Sequence, residues 1–158
     1  MIQNSKAAKK VILILILVVI IGLAVQSIIL MVINHYAPVE SIRSEEDIAE
    51  IMEVRVFCLN LKYLINNLCL YVFQIGILLL MICLIKYKFT FSFHEISLAF
   101  IALLAGAAIV TVPFAMFNKL YASEYLKPLY ITVIKAAVIF TMMSAINFAL
   151  WIRKRRKS

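Results

Sequence analysis

Residues 11–33 read VILILILVVIIGLAVQSIILMVI, an apolar stretch without a single charged side chain. A helix that crosses a bilayer needs about 20 predominantly apolar residues. Three further stretches reach that length, at 64–85, 96–117 and 129–152, and Lys135 is the one charged residue in the four of them. Because every backbone polar group must be paired within the segment when lipid surrounds it, each stretch is predicted to be a helix.

The composition of the whole chain agrees with four membrane spans. Of the 158 residues, 65% are hydrophobic and 15% are charged, whereas a soluble domain is about 45–50% apolar. The sequence therefore predicts a single transmembrane domain over residues 1–158. Its fold class is all-α integral membrane, a four-helix transmembrane bundle with a short amphipathic outer helix.

Basic residues are unequally divided between the two predicted membrane faces. Ten of the 16 Lys and Arg residues lie on the face that holds both termini, and five lie on the other. The positive-inside rule then places both termini in the cytoplasm, most simply at the cell (plasma or inner) membrane. The basic tail 153–158 is expected to set topology and to contact anionic lipid headgroups, with a protein-docking role as the alternative. Nucleic-acid binding is disfavoured, since no basic face interleaved with aromatic residues is present.

The first outer loop is acidic and is predicted to contain the amphipathic helix. Six of the eight acidic residues lie within residues 34–62. In the segment 45–60, apolar residues recur on one helical stripe and acidic residues lie opposite them. This helix either lies on the membrane surface or continues the second span and presents an acidic surface to a basic partner. The candidate partner-docking residues are Glu46, Asp47, Glu50 and Glu53.

Several polar residues fall within the predicted spans, mostly in the outer half. Amide side chains at this depth serve as contacts between helices, or they line a polar cavity open to the outside. Lys135 either extends its ammonium group to the interface or lies at the rim of that cavity. The candidate cavity residues are Gln26, Asn67, Gln74, Thr111 and Lys135.

Small residues mark the predicted helix contacts. Ala102 and Gly106 form a small-xxx-small pair in the third span, and Ala137, Thr141 and Ala145 lie on a small-residue face of the fourth. Such residues let two helix backbones approach closely, within one chain or between subunits.

Two span boundaries carry local signals of helix starts. Ser92 and Glu95 have the spacing of a capping box that opens the third helix. Pro128 suits the first turn of the fourth helix, where a missing backbone N–H costs nothing.

The sequence lacks the motifs of common enzyme classes. It contains no H-E-x-x-H, nucleophile elbow, Walker loop or dinucleotide fingerprint, and its three cysteines have no C-x-x-C spacing. We therefore expect no enzymatic activity, no cofactor and no metal. The expected partners are the lipid bilayer and other membrane-protein subunits or further copies of this chain, but no nucleic acid.

Two functions remain open on these grounds. The first is a non-enzymatic multi-pass membrane protein that acts by protein–protein contact. It would be an accessory or assembly subunit of a membrane complex, or a small immunity or regulatory protein. The alternative is a small oligomeric transporter or channel subunit with a polar cavity in the outer half of the bundle.

Overall fold

The computed structural model describes residues 2–37, 45–87 and 91–155, with side chains for 6–37, 48–87 and 91–153. Within these ranges only Ala37, Phe91, Ser92 and Asn118 lie outside helices. The elements in chain order are α1 (Ile2–Tyr36), α2 (Glu45–Tyr87), α3 (Phe93–Phe117), a short 3-10 helix (Lys119–Tyr121) and α4 (Ala122–Arg155). All four α-helices are long and apolar enough to cross a membrane. The predicted helical character of the four apolar stretches is thus confirmed.

The predicted short outer helix is not a separate element. Residues 45–60 form the first part of α2, which runs without a break for 43 residues. At about 1.5 Å per residue, α2 is about 65 Å long, roughly twice the thickness of a bilayer core. The segment therefore continues the second span, which is one of the two interpretations that the sequence left open.

The fourth helix begins earlier than the sequence predicts. α4 starts at Ala122, directly after the 3-10 helix, so Pro128 lies inside the helix and not in its first turn. The prediction for Pro128 is therefore wrong. Residues 122–127, which precede Pro128, are also helical, although the apolar stretch 129–152 does not include them. At its other end α4 reaches Arg155, and residues 156–158 of the basic tail lie outside the described residues.

The capping box at the start of α3 is confirmed. The Glu95 N–H donates to the Ser92 Oγ at 3.2 Å, and the Ser92 N–H donates to Glu95 Oε2 at 3.0 Å. Glu95 also forms an ion pair with Lys9 of α1, with 2.5 Å between Nζ and Oε1. The start of α3 is thus tied to α1.

The helices pack as a four-membered bundle. α1 contacts α2 and α3, and α4 contacts α3 and α2. Glycines allow two close approaches of α1. A Cβ added at Gly22 would lie 2.7 Å from the Cys69 Sγ of α2, and one added at Gly106 of α3 would overlap the Ile20 side chain. Small residues at helix contacts let backbones approach in this way.

Apolar side chains from all four helices fill the middle of the bundle. The fully buried members include Leu23, Ile77, Leu103 and Met143, one from each helix. Phe140 lies among them, with its ring centroid 5.4 Å from that of Phe100. Between helices in an apolar environment, such side chains stabilise the bundle by van der Waals packing.

Near the end where α4 finishes, a buried asparagine connects α4 to the chain segment before α3. The Asn147 Nδ2 donates to the Phe91 carbonyl at 2.7 Å, and the Phe91 N–H donates to the Asn147 Oδ1 at 2.8 Å. These two bonds fix the entry to α3 against the last turns of α4.

The outer surface of the bundle is apolar as well. Large hydrophobic side chains are exposed on every helix, for example Leu13, Ile75, Ile109 and Val138. A soluble bundle places polar residues on this face. An apolar exterior on all sides requires an apolar environment or a protein partner.

Candidate functional site

Buried polar side chains gather at the end of the bundle where α1 ends and α4 begins. They come from α1, α2 and α4, and we call them the polar cluster. Its members are Gln26, Asn34, Arg55, Lys62, Asn66, Glu124, Tyr125 and Thr132. Most lie on helix faces that point into the bundle, above the apolar layer that fills its middle.

Gln26 and Asn66 join α1 to α2 within the cluster. The Gln26 Nε2 donates to the Asn66 Oδ1 at 3.0 Å and to the Gly22 carbonyl at 3.2 Å. The Gln26 side chain is buried, and its Oε1 has no hydrogen-bond partner. Amide contacts of this kind between apolar helices contribute about 0.6–2 kcal/mol.

Arg55 holds three elements together at the top of the cluster. Its Nη1 donates to the Ala37 carbonyl at 2.6 Å, just past the end of α1. Its guanidinium lies over the Tyr121 ring, 5.9 Å from the centroid. A cation beside the last carbonyls of a helix also interacts favourably with the helix dipole. Arg55 therefore fixes α2 against the end of α1 and against the 3-10 helix that precedes α4.

Lys62 is a buried lysine that forms no ion pair with the carboxylates of the described residues. The residue is 5% exposed, and its Nζ lies 5.3 Å from the Tyr63 ring centroid. Glu124 is near enough to interact electrostatically, but the pair does not reach ion-pair distance in the described part of the chain. One carboxylate oxygen of Glu124 is itself buried without a hydrogen bond.

Three further members have buried polar atoms without partners. The Tyr125 hydroxyl lies beside Asn34, yet neither side chain has a hydrogen bond of ordinary geometry. Thr132, 2% exposed, also has an unpaired hydroxyl. Unpaired buried polar groups are costly, so these atoms are suited to hydrogen-bond water or a polar group of a ligand. Among the described residues no three His, Cys, Asp or Glu side chains are grouped to hold a metal ion.

The residues predicted to line a cavity do not come together. Gln26 belongs to the polar cluster, but Asn67 is exposed and its neighbour Asn66 makes the inward contact. Thr111 is buried, and its hydroxyl donates to the Ala107 carbonyl of its own helix at 2.8 Å.

The other two predicted cavity residues are not members of the cluster, although Lys135 lies about one helical turn beyond its member Thr132. Gln74 is half-buried on the flank of α2, two turns beyond Asn66. Lys135 is half-buried on α4, about 15 Å along the helix from Tyr125. Of the five predicted cavity residues, the polar cluster thus includes Gln26, and the cavity itself stays a prediction.

The predicted docking acids lie at the start of α2. We call residues 45–54, which precede Arg55, the α2 extension; it is about 15 Å long. Glu50 and Glu53 are exposed on it. Glu46 and Asp47 belong to its helix, but their side chains lie outside the described residues.

The predicted packing residues differ in their surroundings. Gly106 packs against α1, as described above, and Ala137 is half-buried. Ala102, Thr141 and Ala145 are exposed, and the Thr141 hydroxyl donates to the Ala137 carbonyl at 2.7 Å. The small-residue face of α4 is therefore only partly covered by this chain.

The sequence predicts Arg55 within the amphipathic segment 45–60 and Lys62 at the end of the first outer loop, but that prediction did not indicate that either residue is buried. A signal was present. Arg55, Lys62, Asn66 and Phe73 follow one another at intervals of seven, four and seven residues, and this spacing places them on one helical face.

Comparison of the chain with protein-family models, with curated proteins and with solved protein structures finds no match in any of the three.

Proposed function

We propose that this chain is an integral membrane protein whose four helices cross the cell membrane with both termini in the cytoplasm. The exposed apolar side chains on all four helices support this placement, since they would be hydrated in water. The distribution of Lys and Arg supports the orientation. The polar cluster and the α2 extension then lie on the outer side.

Within the membrane, we propose that the protein acts by contact, as an accessory or assembly subunit of a membrane complex or as a small regulatory or immunity protein. The observation that supports this most is the α2 extension. Arg55 anchors α2 to the end of α1, and the ten residues before it continue as rigid helix. This segment exposes the acidic residues Glu50 and Glu53 with the exposed apolar Val54 next to them, one helical turn after Glu50.

The chemistry of the extension specifies its partner. A surface that combines carboxylates with exposed apolar side chains is complementary to an outer segment of another membrane protein that carries Lys or Arg and an apolar anchor. Such a partner would pair with the acids and cover Val54. No reacting groups are needed for this function, in keeping with a non-enzymatic role.

Site-specific crosslinking tests this proposal. A photo-crosslinking residue at Glu53 should capture a defined membrane protein, and the same residue at Leu79, on the exposed apolar face of α2, should not. The double substitution Glu50→Lys and Glu53→Lys should abolish both the crosslink and co-purification after mild detergent extraction. Lys135→Met should leave both intact. Equal capture from both positions, or capture that survives the charge reversal, would show that the extension is not the docking surface.

The buried polar cluster favours one alternative, a small oligomeric transporter or channel subunit. Its unpaired buried atoms could accept a polar solute. Against transport through a single bundle stands the apolar layer of Leu23, Phe73, Leu103 and Phe140 below the cluster. If the purified protein in liposomes passes a solute, and Lys62→Met abolishes the passage, the transport function replaces the contact function.

A further inference from the structure

A second feature lies at the opposite end of the bundle from the polar cluster. There α1 and α3 diverge and leave a groove of about 290 Å³. Its walls are almost entirely apolar, with Ile12, Leu13 and Ile16 from α1 and Leu98, Ala99 and Ala102 from α3. The small side chains of Ala99 and Ala102 leave the space that a larger residue would fill.

Charged residues stand at the mouth of this groove. Lys9 and Glu95, which form the ion pair between α1 and α3, are part of its lining. Lys6 and Lys10 are exposed beside them. Among the described residues Glu95 pairs with Lys9 alone, so the exposed Lys6 and Lys10 add positive charge at this end of α1.

Along α1, lysines lie at one end of the groove and apolar residues line the rest of it. Lys6, Lys9, Leu13 and Ile16 follow at intervals of three, four and three residues, which places them on one helical face. From Lys9 to Ile16 the helix rises about 10 Å. An amphiphile that pairs with the lysines can thus extend its apolar chain along Leu13 and Ile16.

We propose that this groove is a binding site for an anionic phospholipid, with one acyl chain between α1 and α3 and the phosphate at Lys6 and Lys9. The inference rests on the membrane placement proposed above. In that placement the lysines lie on the cytoplasmic face, where anionic lipids attract basic residues. The acyl chain covers apolar side chains that the protein itself leaves open.

Native mass spectrometry of the full-length protein in detergent tests the site. The probes are dioleoylphosphatidylglycerol and dioleoylphosphatidylcholine, which share their acyl chains and differ in headgroup charge. We expect the anionic lipid to bind at lower concentration. Ala102→Phe should place a ring in the groove and exclude part of the acyl chain. Exclusion of only two methylenes of that chain weakens lipid binding about tenfold. Ala145→Phe, the same change at an exposed alanine of α4, should bind as the wild type does.

A second variant tests the headgroup contact separately. Lys6→Gln combined with Lys9→Gln should remove the preference for the anionic lipid while the acyl chain still binds. Equal binding of both lipids to the wild type, or unchanged binding to Ala102→Phe, would overturn the proposal. These readouts do not involve the α2 extension, so failure of the lipid site and failure of the docking function are distinguishable.

Discussion

Replacement of Arg55 by methionine tests whether the α2 extension is anchored as described. Methionine keeps an apolar stem of similar length but removes the bond to the Ala37 carbonyl and the contact with the Tyr121 ring. A buried hydrogen bond from a charged group contributes about 1.5–3 kcal/mol, and a cation–π contact about 0.5–2 kcal/mol. We expect Arg55→Met to lower the free energy of unfolding by about 2–4 kcal/mol.

This loss is large enough to measure by thermal unfolding. For a chain of this size, 1 kcal/mol shifts the unfolding midpoint by about 2–4 °C, so the midpoint should fall by about 5–15 °C. Far-UV circular dichroism in mild detergent follows the transition. Hydrogen exchange should also accelerate at the last turn of α1, residues 33–36, because α2 no longer fixes it. The matched control is Arg153→Met, at an exposed arginine near the end of α4. Equal midpoints for the two variants would refute the anchoring role of Arg55.

Three further substitutions test other contacts. Asn147→Leu removes two buried hydrogen bonds and should lower the free energy of unfolding by about 1–3 kcal/mol, measured as a lower unfolding midpoint. The control Asn67→Leu, at an exposed position, should cost far less. Similar losses for the two variants would contradict the assigned faces of α2 and α4. Gly22→Leu should separate α1 from α2, because even a Cβ there meets the Cys69 Sγ at 2.7 Å; an undiminished midpoint would rule out the close approach. Glu95→Gln should reduce the loss of stability that the protein shows as the pH falls. If the unfolding midpoint of this variant depends on acidic pH as that of the wild type does, the Lys9–Glu95 ion pair does not contribute.

The sign of the acid effect follows from the environment of Glu95, which lies one residue before the apolar stretch 96–117. The Lys9 ammonium and the Ser92 N–H hold the pKa of Glu95 below its usual range. A carboxyl group with a lowered pKa in the folded state stabilises the protein above its unfolded pKa, about 4.3. That stabilisation is lost as the pH falls through the folded pKa. Because both side chains are partly exposed, the effect is small.

The helical state of the four apolar stretches could be predicted from the sequence, although α1, α2 and α4 extend well beyond those stretches. Apolar stretches of 22 to 24 residues leave the backbone no alternative to helix in an apolar environment. The capping box of Ser92 and Glu95 is also a local interaction, since its two residues are three positions apart. Local signals of this kind do not depend on how the helices are arranged.

Which side of each helix faces inward could not be predicted in the same way. Asn66 and Asn67 are adjacent in sequence but point about 100° apart around α2, and only packing against α1 determines that Asn66 meets Gln26. The continuation of α2 through Arg55 was one of two interpretations that the sequence left open, and the contacts of Arg55 with Ala37 and Tyr121 depend on the packing of the helices. Charged residues before an apolar stretch are compatible with a loop and with a helix. The partners of those charges, which the sequence does not give, decide between the two.

The proposed docking function requires that the α2 extension lies on the outer side of the membrane. In a chain without Cys58, Cys69 and Cys83, single cysteines are introduced as Glu53→Cys or Lys10→Cys and treated with a membrane-impermeant maleimide. Glu53→Cys should react in intact cells, and Lys10→Cys should react only after the membrane is permeabilised. The reverse pattern, or equal reaction of both in intact cells, would contradict the proposed topology and the outer docking surface with it.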